Sequence, residues 1–210
     1  MAETAGPESV GALSRGWAPH LARVGAAVRA AGPAPLVLID GPSGSGKSTL
    51  AGLLTAGSAA RPNRTEAVRL DDVYPGWGGL EAAGRMLART LIGPLAAGRP
   101  GRVPLWDWAA GRPGAVRIVR PGGALVIEGC GAFAAGDGVP AVRVWIHAPD
   151  AARRREALAR DGGAFDAHWD DWDRQWRRHL AVHGRGGAGV IRLRGLPGCR
   201  RPRPRDTVVP

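Results

Sequence analysis

Lysine is almost missing from this chain. Of its 29 basic residues, spread over 210 positions, Lys47 is the single lysine and the rest are arginine. Cysteine is nearly as scarce. Cys130 and Cys199 stand far apart in unlike surroundings, which excludes a disulfide framework and a cysteine-based zinc site and suits a reducing compartment. No stretch approaches the ~18 uninterrupted apolar residues that a membrane span requires. The first thirty residues carry Glu3 and Glu8 and lack an apolar core segment, so no secretory signal is expected. These absences predict a cytoplasmic protein with no membrane partner.

What is present is a globular composition, 44% hydrophobic and 22% charged, at a length that suits one domain with room for a lid or small insert. A net charge of +11 would ordinarily point to nucleic acid. Its distribution argues otherwise. From residue 184 onward seven arginines face one acid, Asp206, giving +6 and leaving only +5 for residues 1–183. Nucleic acid is therefore not the expected partner. The 33 glycines, 18 prolines and the arginine bias are the mark of a high-GC genome.

Along the chain, residues 1–14 read as a flexible leader, 15–195 as one domain, and 196–210 as a basic disordered tail. Trp17, Leu21, Val24 and Val28 recur at helical spacing up to Gly32-Pro33. Pro35 to Asp40 is a continuous apolar run closed by an acid, the pattern of a buried parallel strand. A helix is expected from Lys47 to about Ala56, a strand near Ala67–Leu70, a helix over Glu81–Ala97, and strands at 124–127 and Val142–His147. An Arg-rich helix follows from Asp150, expected as its cap, to Arg160, then a longer one over Phe165–His183 and a last strand at 190–193. The alternation predicts an α/β, three-layer αβα fold with a mostly parallel sheet.

The most specific feature is Gly41-Pro42-Ser43-Gly44-Ser45-Gly46-Lys47-Ser48-Thr49, which matches G-x-x-x-x-G-K-[ST] between a strand and a helix. Gly41, Gly44 and Gly46 allow the backbone to turn its N–H groups inward as an anion nest, and the helix start adds positive potential. Lys47 is placed to reach the β- and γ-phosphates of a nucleotide, and the Ser48 hydroxyl to bind Mg²⁺. The spacing predicts a P-loop NTPase fold that takes ATP and Mg²⁺ as cofactors. Ligands of parallel sheets bind beyond the carboxyl ends of the strands, and acids sit there twice: Asp71-Asp72 after the second strand and Glu128 after the third.

Three short segments carry a family resemblance. Leu70-Asp71-Asp72-Val73-Tyr74 resembles the Asp-Ser-Phe-Tyr motif of the uridine kinase family. Val103-Pro104-Leu105-Trp106-Asp107-Trp108 resembles its Ile-Pro-x-Tyr-Asp-Phe segment, and Val126-Ile127-Glu128-Gly129 its hydrophobic-Phe-Glu-Gly strand end. With the P-loop and the Arg-rich helix, the resemblance covers about residues 34–162. The chain also looks like a group of high-GC bacterial ATP-binding proteins described as uridine kinase-like. The resemblance implies that Asp71 activates the acceptor hydroxyl, that Glu128 and Ser48 serve the metal, and that Tyr74, Trp106, Asp107 and Trp108 face the acceptor. It further implies a small helical lid over about 150–164, hinged at Gly162-Gly163, whose arginines close on the phosphates. Arg160 is the catalytic candidate and Arg153 shares its face, but which lid arginine acts stays open, and the alternative for these arginines is a solvated basic face. The family's pyrimidine-contacting histidine is absent: its position is Gly111. The flanking aromatics are tryptophans, so the identity of the acceptor does not carry over.

Other features read as structural. Phe165, Trp169, Trp172, Trp176 and Leu180 form one helical stripe, which serves either as a base-stacking platform or, the favoured reading, as core. His168, His179 and His183 read as structural or solvated, and Cys130 as a small buried residue with no base to activate it. Whether Asp71 or Asp72 is the base, and the oligomeric state, stay open. Residues 106–114, with Pro104 before them, read as a recognition loop. The leading function is an ATP-dependent kinase transferring the γ-phosphoryl group to a hydroxyl of a small molecule. The alternative is a regulatory ATP-binding module with little or no kinase activity, and a nucleic-acid binder resting on the C-terminal arginines comes third.

Overall fold

The computed structural model describes residues 7–57, 65–160 and 163–195, with side chains from Arg15 onward. The expected tail at 196–210 lies outside this range. Helix α1 spans Pro7–Ala30 and so begins inside the stretch expected to be a flexible leader. Proline suits a first helical position, where its missing N–H would have no intrahelical partner.

The described residues form a five-stranded parallel sheet in the order β2-β5-β1-β6-β7: β1 Leu36–Asp40, β2 Thr65–Arg69, β5 Ala124–Glu128, β6 Val142–His147 and β7 Ile191–Arg194. The period of two along a strand sorts its side chains between two cores. On β1, Val37 and Ile39 join Trp17, Val24 and Leu50 under α1 and α2 (Lys47–Gly57). Leu38, with Leu125 and Ile127 of β5, faces the opposite layer. That layer is built from α3 (Leu80–Leu87), α5 (Ala132–Ala135) and α7 (Trp169–His183). The architecture is the expected αβα sandwich. Phe165, Trp169, Trp172 and Trp176 are all buried in it, so the stripe is core.

Two expectations change. The helix over 81–97 is interrupted: α3 gives way to a π-turn at Ala88–Ile92 and then to α4 (Gly93–Ala96). Pro94 has no N–H to offer the Thr90 carbonyl, which breaks the regular ladder there. Residues 101–119, read in part as a loop, are an antiparallel ribbon of β3 (Gly101–Asp107) and β4 (Arg112–Val119). The register shifts between Pro104 and Trp106, which accommodates a proline inside a strand. Strand β4 is largely exposed, and its Val116 and Ile118 face solvent among arginine, glycine and proline, so no apolar alternation marks it.

Candidate functional site

The P-loop leaves the carboxyl end of β1 and enters α2 at Lys47. Gly41, Gly44 and Gly46 have φ of 144°, 75° and 99°. At Gly44 the demand is steric as well: a Cβ would lie 1.9 Å from the Arg153 carbonyl oxygen, so the loop packs directly on the backbone of α6 (Asp150–Arg160). Lys47 is buried, and its Nζ donates to the Pro42 carbonyl at 2.8 Å across the mouth of the loop. Beneath the loop sits Trp17, whose ring would lie 3.0 Å from a Cβ at Gly46. Ser45 Oγ is buried without a hydrogen-bond partner.

Asp40, at the end of β1, is a structural anchor that the sequence pattern did not single out. Its carboxylate accepts N–H bonds from Gly41 (2.6 Å), Gly131 (2.9 Å) and Phe133 (2.9 Å), fastening the P-loop to the turn after β5. Burial pushes this carboxyl up, and the three N–H donors oppose that shift.

Beside the loop the predicted carboxylates do converge. Asp71 and Asp72 lie in a short 3₁₀ turn (Leu70–Asp72) that follows β2, and Glu128 closes the adjacent β5. Arg69 links them: its Nε is 3.4 Å from Glu128 Oε1 and its Nη2 is 3.9 Å from Asp71 Oδ2. Arg160, on the last turn of α6, reaches to 3.7 Å from the same Asp71 oxygen. Glu128 accepts a hydrogen bond from Ser48, while its buried Oε1 has no hydrogen-bond partner. Burial, then the neighbouring Asp71, pushes the Glu128 carboxyl up; Arg69, Lys47 and the Ser48 bond pull the other way. Thr49 follows Ser48 on the first turn of α2.

Arg153 does not share the role foreseen for its face. It is buried, with Nε bonded to Asp150 (2.8 Å), Nη2 bonded to Asp173 (2.6 Å), and the guanidinium over the Trp169 ring. It locks α6 to α7 and leaves Arg160 facing the cleft. Asp150, expected as a cap, instead spends its carboxylate on Arg153 and Arg177. Of the hinge pair, Gly162 lies outside the described residues.

The acceptor side departs most from expectation. Tyr74 is buried, and its hydroxyl donates to the Cys130 carbonyl at 2.9 Å. Burial, reinforced by Cys130 and the nearby acids, pushes that hydroxyl well above its ordinary range, so it stays a donor. Tyr74 thus supports the wall from behind and offers no free polar atom to a ligand. Trp108 donates its indole N–H to the Asp71 carbonyl (2.8 Å) and packs against Trp77 at 4.9 Å between ring centroids. Asp107 Oδ1 accepts from the Ala110 N–H, closing the turn between β3 and β4. Trp106 is half-buried and lies over Gly76. The tryptophans therefore hold the 3₁₀ turn and the 76–77 segment in place.

Trp77 is the residue sequence reasoning missed. It stacks on His168 at 4.2 Å and on Phe165 at 5.4 Å, and touches Trp172 edge-on. A lone tryptophan between glycines carries no periodic signal. Trp172 in turn donates to Ser43 Oγ (3.0 Å), tying the aromatic wall to the P-loop. Cys130 is buried against Ser43 and Lys47, and burial pushes its thiol up, in keeping with an inert side chain.

No protein-family model matches this chain, and no curated protein matches it. Solved structures do. The YGR205w protein aligns at a TM-score of 0.55 and 10% identity, over 92% of this chain and 94% of that chain. A Silicibacter sp. TM1040 protein described as a candidate fructose transport system kinase aligns at 0.53 and 23% identity, over 76% and 89%. A candidate uridine kinase from Bacillus stearothermophilus aligns at 0.46 and 17% identity, over 76% and 89%. At these identities the likeness is one of fold. The chain has the three-layer αβα P-loop fold that the sequence pattern predicted. No helix among the described residues is long and apolar enough to cross a membrane.

Proposed function

We propose that this protein is an ATP-dependent kinase that transfers the γ-phosphoryl group to a hydroxyl of a small molecule. The observation that carries the reading is the meeting of Asp71, Arg160, Arg69 and Glu128 beside the Lys47 loop, at the carboxyl edge of the sheet. A switch that only binds nucleotide has no need of a partly exposed carboxylate flanked by two guanidiniums at that place.

The roles follow from chemistry. The glycine-rich backbone and Lys47 hold the phosphates, with Ser43 and Ser45 in the loop and Thr49 on the first turn behind it. The residues fit a magnesium ion, because Ser48 bonds the Glu128 carboxylate beside the loop, and Glu128 Oε1, buried without a hydrogen bond, is held only by the Arg69 ion pair at 3.4 Å. When bound, that ion neutralises charge on the β- and γ-phosphates. Asp71 takes the proton as the acceptor oxygen bonds to the γ-phosphorus and the bond to the β–γ bridging oxygen breaks. Arg160 stabilises charge on the transferring group, with little covalent chemistry asked of it. At about 3.7–3.9 Å its contact and that of Arg69 to Asp71 are loose enough to be exchanged for substrate.

The acceptor is a hydroxyl compound other than a pyrimidine nucleoside. Gly111 stands at the exposed tip of the ribbon with φ of 61°, a turn conformation that glycine supplies, and offers no side chain to a pyrimidine edge. A site missing a hydrogen-bond partner discriminates strongly. The test is transfer of labelled γ-phosphate to a panel of sugars, polyols, hydroxy acids and nucleosides. Uridine and cytidine are expected to be poor substrates, and a kcat/KM of ~10⁴ M⁻¹s⁻¹ or more for either would restore pyrimidine specificity. ATP binding without transfer to any acceptor would favour the regulatory module.

A further inference from the structure

His179 and His183 are spaced four apart, so they share one face of α7 near its C-terminal end. The fold brings Glu81, on the first turn of α3, against that face from 98 residues away. Glu81 Oε2 lies 2.7 Å from His179 Nδ1, and Oε1 lies 3.0 Å from His183 Nε2. One ligand atom from each of the three residues falls within 4.8 Å of the other two. The rings of the two histidines are 4.4 Å apart between centroids. Among the described residues this is the sole such trio of histidine, cysteine and carboxylate side chains.

We propose that Glu81, His179 and His183 form a binding site for a divalent first-row transition ion, with zinc the best match to two imidazoles and one carboxylate. The site is separate from the P-loop and does not depend on the kinase reading.

The geometry favours an ion over a mere hydrogen-bonded trio in three ways. Two ligands come from one helix and are held at fixed spacing, so little order has to be created on binding. His179 is buried and stacked on Trp176 at 5.9 Å, and the imidazole edge would lie 3.4 Å from a Cβ at Gly131, so its orientation is set by packing. His183 is 42% exposed at its side chain, which leaves a path for the ion and room for a water as a fourth ligand. Tetrahedral ligands at about 2.0–2.1 Å from zinc lie roughly 3.4 Å from one another. The present 2.7 and 3.0 Å contacts must therefore open by about half an ångström. Glu81, partly exposed at the start of its helix, can supply that movement. A competing cation is Arg85, whose Nη1 is 2.8 Å from Glu81 Oε1. It is well exposed and can swing into water.

The bound ion would tie the start of α3 to the end of α7. The segment leading into α3 carries Trp77, whose carbonyl accepts from Gln175 of α7. The site thus braces the aromatic wall of the cleft.

The experiment uses the full chain, stripped with chelator and free of nucleotide, titrated with zinc by calorimetry and followed by thermal unfolding. Wild type is expected to bind one zinc per chain and to unfold at a higher temperature with zinc, since an ion held only by the folded state stabilises it. Cobalt(II) is expected to give the visible bands of a tetrahedral site. Exposed His183→Ala should weaken zinc binding about tenfold or more, and Glu81→Gln should do likewise. Cys199→Ala should leave it unchanged, and any response to magnesium should be the same in wild type and in His183→Ala. The proposal is overturned by substoichiometric binding, by His183→Ala and Glu81→Gln variants that bind as wild type does, by loss of binding in Cys199→Ala, or by a magnesium response that His183→Ala removes.

Discussion

The two sides of the cleft are built in different ways. One side is the nine consecutive residues of the glycine-rich loop, defined by its backbone: positive-φ glycines and the start of α2. The other is assembled from Tyr74, Trp77, Trp108, Phe165, His168 and Trp172, which come from three distant stretches and meet through tertiary packing. One side takes its form from where its main chain runs. The other takes its form from what its side chains do to one another. Trp172 joins the two directly through Ser43, while Trp108 and Tyr74 bond the Asp71 and Cys130 carbonyls beside the loop.

The harshest break of this contrast is at Lys47, where a side chain matters on the backbone-built side. Lys47→Ala should reduce phosphoryl transfer about 10³-fold or more and weaken ATP binding. Lys47→Arg should also be damaging, because a planar fork does not replace a compact ammonium. Wild-type turnover in either variant would contradict the assignment of the loop.

Asp71 stands where the two sides join, and its loss should separate chemistry from binding. Asp71→Asn is expected to lower turnover ~10²–10⁴-fold while ATP affinity stays near normal. Turnover assays beside calorimetric ATP titration read the split. Selective loss in Asp72→Asn instead would move the base by one residue, and a matched loss of both properties would make Asp71 a binding group.

On the packed side, effects should appear in stability before activity. Tyr74→Phe leaves the buried Cys130 carbonyl without its donor, a cost of about 1–3 kcal/mol. Denaturant unfolding measures it. A large loss of acceptor affinity with unchanged stability would return Tyr74 to the ligand-facing role first expected of it.

The smallest effect concerns the clasp behind the cleft. Hydrogen bonds from Arg153, then Arg177, hold the Asp150 carboxyl below its ordinary value of 3.8. With the folded-state value lowered, its stabilisation is complete above the ordinary value of 3.8 and is lost as pH falls through the lower, folded one. The stability gap between wild type and Asp150→Asn should therefore be constant at neutral pH and shrink below about pH 4. Because Asp150 is mostly exposed, solvent screening keeps the gap small. A gap that widens on acidification would contradict the assignment.

Most of the architecture was legible because its signals are local. The apolar run of β1, the glycine spacing of the loop and the Phe165–Trp176 stripe each record a periodicity or a backbone requirement within a dozen residues. Strand β4 escaped because a largely exposed strand has no buried face to impose alternation, and without it β3 had no partner to pair with. The acids at the strand ends were legible too, since a parallel sheet puts those ends on one edge.

By itself the sequence determined the layered α/β fold, the phosphate loop and the set of acids at its rim, because each depends on chain-local geometry. Tertiary structure alone decided the division of labour among them. It sent Arg153 into a buried ion pair and left Arg160 in the cleft, turned Tyr74 inward, made Trp77 the centre of the wall, and set Glu81 between His179 and His183. Those outcomes depend on which distant side chain arrives to satisfy a buried polar or charged group, and no spacing along one chain segment contains that information.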